Sequence, residues 1–473
     1  MKQNKTKIIA TIGPASSSKE VMKQMMEEGV NVFRINFSHG NYEEYKKIIT
    51  TINELNEELH LHTAILADLQ GPKMRIGEVE NNKVLLETGR EIIITTEKIV
   101  GTAEKIYLTY SKFPEDVKKG ETVLIDDGKI VLEVMEIISK TEVKAIIIEG
   151  GQLSSKKGFN LPNTKISLPS LTEKDLKDLD FALEQNVPWI GLSFVRSARD
   201  IIELKQIISL HINSAKVVAK IEKPEAVSEI DDIIKETDAV MVARGDLGVE
   251  MPMQDLPIIQ KMLVGKCLKA AKPVIIATQM MESMMEHLTP TRAEVNDVAN
   301  AVMDGADAIM LSGETSVGKH PVEVIKAAYK IVLKAESYPN IYNRKHQLEI
   351  GTDRFISDSM CDNACYLARK VNAKAIVTNT FSGYTAFRVA CYRPKAGIYV
   401  FTANRKILNM LSLIWGVKGF YYDKFVSTDH TIADIKFILR KKGILKENDL
   451  VINIASMPIT EKGMTNMIKL SKI

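Results

Sequence analysis

Cysteine is scarce in this sequence: four in 473 residues are too few for the disulfide framework of a secreted scaffold. Long hydrophobic runs are missing too, and nothing approaches the roughly 20 apolar residues that a membrane-spanning helix needs. The opening Met1-Lys2-Gln3-Asn4-Lys5 leads straight into Ile8-Ile9-Ala10, too short a stretch for a signal-peptide core, and nothing of size is expected ahead of the first strand. Nor is there an excess of charge of one sign. The 63 basic and 60 acidic residues leave +3, so bulk electrostatics point to neither nucleic-acid nor membrane-surface binding. Hydrophobic residues at 45% and charged residues at 26% exclude a mostly disordered chain. A reduced, cytoplasmic enzyme of about three domains is the expectation.

What the sequence does have is a succession of short apolar runs, at 7–13, 30–37, 63–69, 189–194, 215–222, 239–245, 273–278 and 308–313. Helical patterns fill most of the gaps, for example 19–28, 42–58, 198–208 and 256–271. Near-continuous apolar strands alternating with amphipathic helices mean a parallel sheet covered by helices, and eight such units suggest a closed (β/α)₈ TIM barrel. The gap from 71 to 168 differs. Runs of Val, Ile and Thr at 84–87, 91–96, 122–125, 130–138 and 143–149 are punctuated by turn signals at 81–82, 126–128 and 150–151. This predicts a small all-β domain, a β-barrel lid inserted after the third strand and lying over the barrel mouth. After Tyr338-Pro339 the pattern starts again. Helices at 358–371 and 385–391 with strands at 373–380, 397–402, 450–454 and 466–470 predict a separate, open α/β domain. The expected division is 1–70 and 169–340 for the barrel, 71–168 for the lid and 341–473 for the C-terminal domain.

In such a barrel the residues ending each strand face the active site. They are Arg34, Asn36, Ser38, Asp68, Ser193, Lys220, Glu222, Arg244, Asp246, Thr278, Glu282 and Glu314. The set has carboxylates fit for a hard divalent ion, cations fit for a phosphate, and small hydroxyls; it has no cysteine nucleophile and no zinc-type histidine cluster. Strand-end ion pairs are the alternative reading of the same residues. In Arg244-Gly245-Asp246-Leu247-Gly248 two glycines allow close backbone approach, with helix N–H groups facing a carboxylate, or they make an ordinary strand-to-helix turn. Gly313 to Lys319 nearly spells a phosphate-cradling P-loop. That loop needs Ser or Thr after the lysine, whereas His320 and Pro321 follow here. Cys361 and Cys365 share one helical face and read as buried small hydrophobes, and the many methionines read as core.

With these residues in hand, the sequence resembles the pyruvate kinase family over essentially its whole length. The motifs are KIIATIGPAS (7–16), RINFSHG (34–40), Lys220-Ile221-Glu222, MVARGDLG (241–248), ATQMMESM (277–284), PTRAEVNDVAN (290–300) and LSGET (311–315). The resemblance implies transfer of a phosphoryl group from phosphoenolpyruvate to ADP, giving pyruvate and ATP. It implies magnesium held by Glu222 and Asp246, with Lys220 and Arg34 against the transferring group and Ser193 in the substrate site. The amides of Gly245 and Asp246 would grip the substrate carboxylate. Thr278 would lie at the methylene face where the enolate takes its proton. Asn36, Arg75 and Lys157 would reach the nucleotide. Asn36, Ser38 and Asp68 match the family's monovalent-cation ligands, but in Asp68-Leu69-Gln70-Gly71-Pro72-Lys73 a lysine stands where many members carry an acidic residue. This resembles the potassium-independent branch, so magnesium is expected and potassium is not required. An arginine often found seven residues before the aspartate is Leu61 here. Thr380, Ser382, Gly383 and Thr385 resemble the family's effector-phosphate loop, while Glu461-Lys462-Gly463-Met464-Thr465 supplies little basic grip. The family is usually a homotetramer. Two rivals remain: a barrel aldolase or lyase with Lys220 as Schiff-base lysine, and a non-catalytic scaffold.

Overall fold

The structure is a computed structural model that describes residues 4–211, 215–348, 351–424, 427–457 and 464–473. Glu461-Lys462-Gly463 lies outside the described residues. Eight strands close a parallel barrel: Lys7–Thr11, Val32–Asn36, Ala64–Asp68, Trp189–Leu192, Lys216–Ile221, Ala239–Ala243, Val274–Ala277 and Ala308–Leu311. The first pairs with the eighth (Lys7 opposite Ala308) and with the second (Ile9 opposite Val32), which completes the ring.

Side chains alternate across a strand, and that alternation builds the site. Ile9, Val32, Leu66, Val218, Met241 and Ile275 fill the barrel interior, whereas Ile8, Phe33, Ile65, Val217 and Val240 pack beneath the helices. Two residues further along the inward rows stand Thr11, Arg34, Asp68 and Lys220. The polar site is therefore the last layer of the interior stack, directed inward by the same backbone geometry that buries the apolar layers below it. Gly191 lies in one of these rows, where a Cβ would stand 3.1 Å from Asp68 Oδ1. At the opposite end the interior cluster runs on into the C-terminal domain, including Leu411, Ile414 and Trp415. There Trp189 Nε1 donates to the Met410 carbonyl at 3.2 Å.

Between the third and fourth strands lies the lid, with its own core around Ile94, Phe113, Leu132 and Val143. A small β-barrel is the expectation; the structure has a six-stranded sheet (Phe159–Asn160, Thr122–Ile125, Ile130–Ile137, Glu142–Glu149, Glu91–Thr95, Lys105–Tyr107) and a two-stranded one (Lys83–Leu86 with Gly151–Ser154). Lys83–Leu86 pairs with Gly151–Ser154 instead of closing the larger sheet. The predicted turn at Asp126-Asp127-Gly128 forms with all three residues at positive φ.

The C-terminal domain is an open five-stranded sheet in the order Val417–Tyr421, Gly397–Thr402, Ala375–Asn379, Leu450–Ala455, Met467–Lys472, with only the last strand antiparallel. Val417–Tyr421 has no counterpart in the sequence expectation. Only its first residue is buried, and Lys418 and Gly419 break the apolar pattern of an edge strand. Among the described residues no helix is long and apolar enough to cross a membrane.

Candidate active site

Asp68 is the hub of the barrel mouth. Its side chain is 1% exposed and ion-pairs with Arg34 on one oxygen (Nη2 at 2.6 Å) and with Lys220 on the other (Nζ at 3.1 Å). The Lys220 contact is Coulombic more than directional, since Oδ1 has no well-aligned hydrogen bond. Lys220 Nζ also lies 3.0 Å from Glu222 Oε1 and donates to Ser193 Oγ at 2.6 Å. Ser193 Oγ in turn donates a hydrogen bond to the Leu69 carbonyl at 2.7 Å. Arg34 Nη1 donates to Thr11 Oγ1 at 3.1 Å. Residues from five of the eight strands or their ends thus meet in one buried network.

Its electrostatics follow from burial. Burial works against the Lys220 ammonium, but the carboxylates of Asp68 and Glu222 outweigh it and hold the pKa above the usual lysine value. A Schiff-base lysine must be available as the neutral amine, so the aldolase reading is disfavoured by this environment. Burial also opposes the charge on Asp68, and there Lys220 and Arg34 prevail, keeping its pKa low. Glu222 goes the other way. Burial, reinforced by the Asp246 carboxylate, raises it despite Lys220 and the Phe194 amide, which donates to Oε2 at 2.7 Å.

Two neighbouring carboxylates, Glu222 buried and Asp246 a third exposed, form a donor set suited to a hard divalent cation. Among the described residues no cluster of three or more His, Cys, Asp or Glu is able to hold a metal. A two-carboxylate arrangement fits magnesium, which takes its remaining oxygens from water and substrate phosphates.

Thr278 has φ of 66°. Its hydroxyl donates to the Ala277 carbonyl at 2.6 Å and accepts from the Gly245 amide at 2.7 Å. Arg244, which ends the sixth strand, is a brace: it reaches Asp297 (2.7 Å) and the carbonyl of Thr278 (2.7 Å). Glu314 is another brace, accepting from the amides of Met281 and Ser312 at 3.1 and 2.7 Å. Lys73 Nζ stands 4.0 Å from Asp246, both side chains being 35% exposed. Asn36 Oδ1 accepts from the Ser38 amide at 3.1 Å. Of the three residues matched to a monovalent-cation site, Asp68 is thus already paired with two cations and Asn36 Oδ1 already accepts one hydrogen bond.

The lid residues are engaged within the lid. Arg75 Nη1 donates to the Lys156 carbonyl at 2.9 Å, and Lys157 pairs with Asp126 at 2.8 Å. In the C-terminal loop, Thr380 and Ser382 cap the amides of Gly383 and Tyr384 at 3.0 and 3.4 Å, and Thr385 lies 3.1 Å from Thr465. The P-loop look-alike makes no cradle. Gly313–Ser316 turns as a short helix, Lys319 pairs with exposed Glu286, and Pro321 opens the next helix. Cys361 and Cys365 are buried and unpaired. One group escapes the sequence: Lys223, Glu250 and Asn160 meet in a buried cluster at the lid's base. Residues so far apart in the chain carry no local signal of the contact.

A TIM barrel whose mouth gathers cations for a phosphate, paired carboxylates for a divalent ion and a β lid defines a phosphoryl-transfer enzyme. The comparisons agree. Residues 3–325 match the pyruvate kinase barrel domain and 358–471 the pyruvate kinase alpha/beta domain. The chain is 41% identical to a pyruvate kinase of Geobacillus stearothermophilus over 473 residues, covering 100% of this chain and 81% of that protein. It is 40% identical over 470 residues to a pyruvate kinase of Staphylococcus aureus strain MRSA252, covering 98% and 80%. A crystal structure of a pyruvate kinase from Cryptosporidium parvum superposes with a TM-score of 0.93 at 34% identity, covering 99% of this chain and 96% of that one. The chain belongs to the pyruvate kinase family. Its reaction is phosphoryl transfer from phosphoenolpyruvate to ADP in glycolysis, and the family generally uses magnesium and usually potassium.

Proposed function

We propose that the transfer runs at the barrel mouth around Lys220, and one observation carries this assignment: a buried ammonium held charged between Asp68 and Glu222. Glu222 and Asp246 hold magnesium, which when bound supplies charge neutralisation for the anionic oxygens of the substrate. Lys220 and Arg34 face the phosphoryl group and neutralise its charge in flight, with Ser193 orienting the Lys220 ammonium. The P–O bond of phosphoenolpyruvate breaks, phosphorus bonds to a terminal oxygen of ADP, and the enolate left behind takes a proton on its methylene carbon. Thr278 stands at that face. The Gly245 and Asp246 amides receive the substrate carboxylate, which takes the place of Thr278 Oγ1 on the Gly245 amide. Asn36, Arg75 and Lys157 bind the nucleotide, Arg75 and Lys157 exchanging their partners within the lid for phosphates as the lid closes.

Potassium is not required. The Lys73 ammonium, 4.0 Å from Asp246, supports this reading by supplying a fixed positive charge beside the site, and Asp68 is already neutralised by Arg34 and Lys220. Thr380, Ser382, Gly383 and Thr385 form a loop opening a helix that receives a phosphorylated effector. The protein works as a cytoplasmic homotetramer, divided into barrel (1–70 and 169–340), lid (71–168) and C-terminal domain (341–473).

The test is pyruvate formation by the unaltered chain and by Lys220→Met and Asp246→Asn, with magnesium. Turnover in the parent and collapse in both folded variants supports the site. Parent-like rates in either variant overturn that residue's role.

A further inference from the structure

Glu250 is the last residue of the short helix Arg244–Glu250 that carries Asp246, and its side chain is 1% exposed. One of its oxygens, Oε1, accepts from two directions. Lys223 Nζ donates at 2.5 Å and Asn160 Nδ2 at 2.8 Å. Lys223 is the residue after Glu222, and its side chain is 6% exposed. Asn160 sits on Phe159–Asn160, the edge strand at the lid's base, where the Phe159 amide donates to the Met74 carbonyl on the outgoing linker at 3.1 Å. A single buried carboxylate therefore joins the segment bearing Glu222, the helix bearing Asp246 and the root of the lid. A carboxylate is buried at this depth only with compensation, and the Lys223 ammonium supplies it. The Asn160 bond adds little to that balance, but it ties the lid to the pair. Glu250 Oε2 is buried without a hydrogen-bond partner, so the carboxylate is held through Oε1 alone.

We propose that Glu250 is a positioning residue that couples the lid to the spacing of Glu222 and Asp246, with Asn160 as the lid's handle and Lys223 as the strut. This rests on the assignment of Glu222 and Asp246 as the metal ligands. When the lid moves, Asn160 pulls on the carboxylate that also fixes the far end of the Asp246 helix, so lid position and metal affinity change together.

The experiment uses the full-length chain with Asn160→Ala, which leaves the Lys223–Glu250 pair in place, and Glu250→Gln as a second variant. Mn²⁺ binding without substrates is followed by the paramagnetic signal of the free ion. Hydrogen exchange is followed in metal-free protein over 156–161 and 244–250. Asn160→Ala is expected to speed exchange in both segments and to weaken Mn²⁺ about tenfold, the low end of the 10–100-fold range for direct partners of metal ligands, since Asn160 acts on the ligands only through Glu250. The magnesium needed for half-maximal rate should rise by the same factor, more than kcat falls. Unchanged Mn²⁺ affinity and unchanged exchange over 244–250 in a folded variant overturn the coupling, even if the melting temperature drops. Glu222→Gln and Asp246→Asn separate the two levels. If these bind Mn²⁺ like the parent, the ligand assignment has failed; if they lose binding while Asn160→Ala does not weaken it, only the coupling has failed.

Discussion

The Gly245 amide donates to the Thr278 hydroxyl across 2.7 Å, joining the turn after the sixth barrel strand to the turn after the seventh. That amide is also the group assigned to the substrate carboxylate, so in the free protein Thr278 occupies the position that a carboxylate oxygen would take. Thr278→Val removes the acceptor and leaves the amide without its partner, at about 1 kcal/mol. The variant should melt a few degrees lower, with kcat reduced about a hundredfold by loss of the hydroxyl at the protonation face. Thr278→Ser should restore most of both. Steady-state kinetics with thermal melting checks this, and a valine variant with parent kcat would remove Thr278 from the chemistry.

Lys220→Met should lower kcat by about a thousandfold or more, since a charge aimed at a transferring phosphoryl group is worth that much. Without the ammonium, Glu222 loses its main opposing charge and its proton affinity rises further. Magnesium activation in the variant should therefore require a higher pH than in the parent. A coupled pyruvate assay across pH measures both effects.

If Lys73 supplies the monovalent charge as proposed, the rate should be the same within about twofold whether potassium or a large inert cation accompanies magnesium. A strong potassium requirement would leave the reaction intact and remove that role from Lys73.

Asp238 anchors the far end of the barrel, where it pairs with Lys216 at 2.9 Å and Lys205 at 3.1 Å and accepts from the Val217 amide at 3.0 Å. Burial opposes its charge, but the two lysines prevail and its pKa is lowered. A lowered native pKa gives stability that is fully present above the unfolded value of about 3.9 and is lost as pH falls through the native value. Asp238→Asn should thus cost about 2 kcal/mol at pH 7, and the gap between the two melting curves should shrink below about pH 4. A gap that stays constant across that range would mean that ionisation is not its source.

Lys319→Ala should leave turnover and nucleotide affinity unchanged. Its side chain is 64% exposed and paired with exposed Glu286, so the P-loop resemblance carries no phosphate. A large rise in the KM for ADP would reverse that conclusion.

The eight barrel strands, the inserted lid and the C-terminal α/β domain were legible in the sequence because burial on both faces writes near-continuous apolar runs, and because lid and barrel differ in period. That Arg34, Asp68, Lys220 and Glu222 gather at the barrel mouth was legible as well, since residues ending the strands of a barrel face that mouth. The edge strand Val417–Tyr421 was not, because a strand that buries little needs no apolar pattern. Tertiary structure alone decided that Asp68 is shared between Arg34 and Lys220, that Gly245 is held by Thr278, and that Asn160 and Lys223 converge on Glu250 from opposite sides of the lid junction. Local sequence specifies the direction of a side chain from its own backbone. Which groups share a proton or a charge depends on distances between segments that only barrel closure and the seating of the lid bring together.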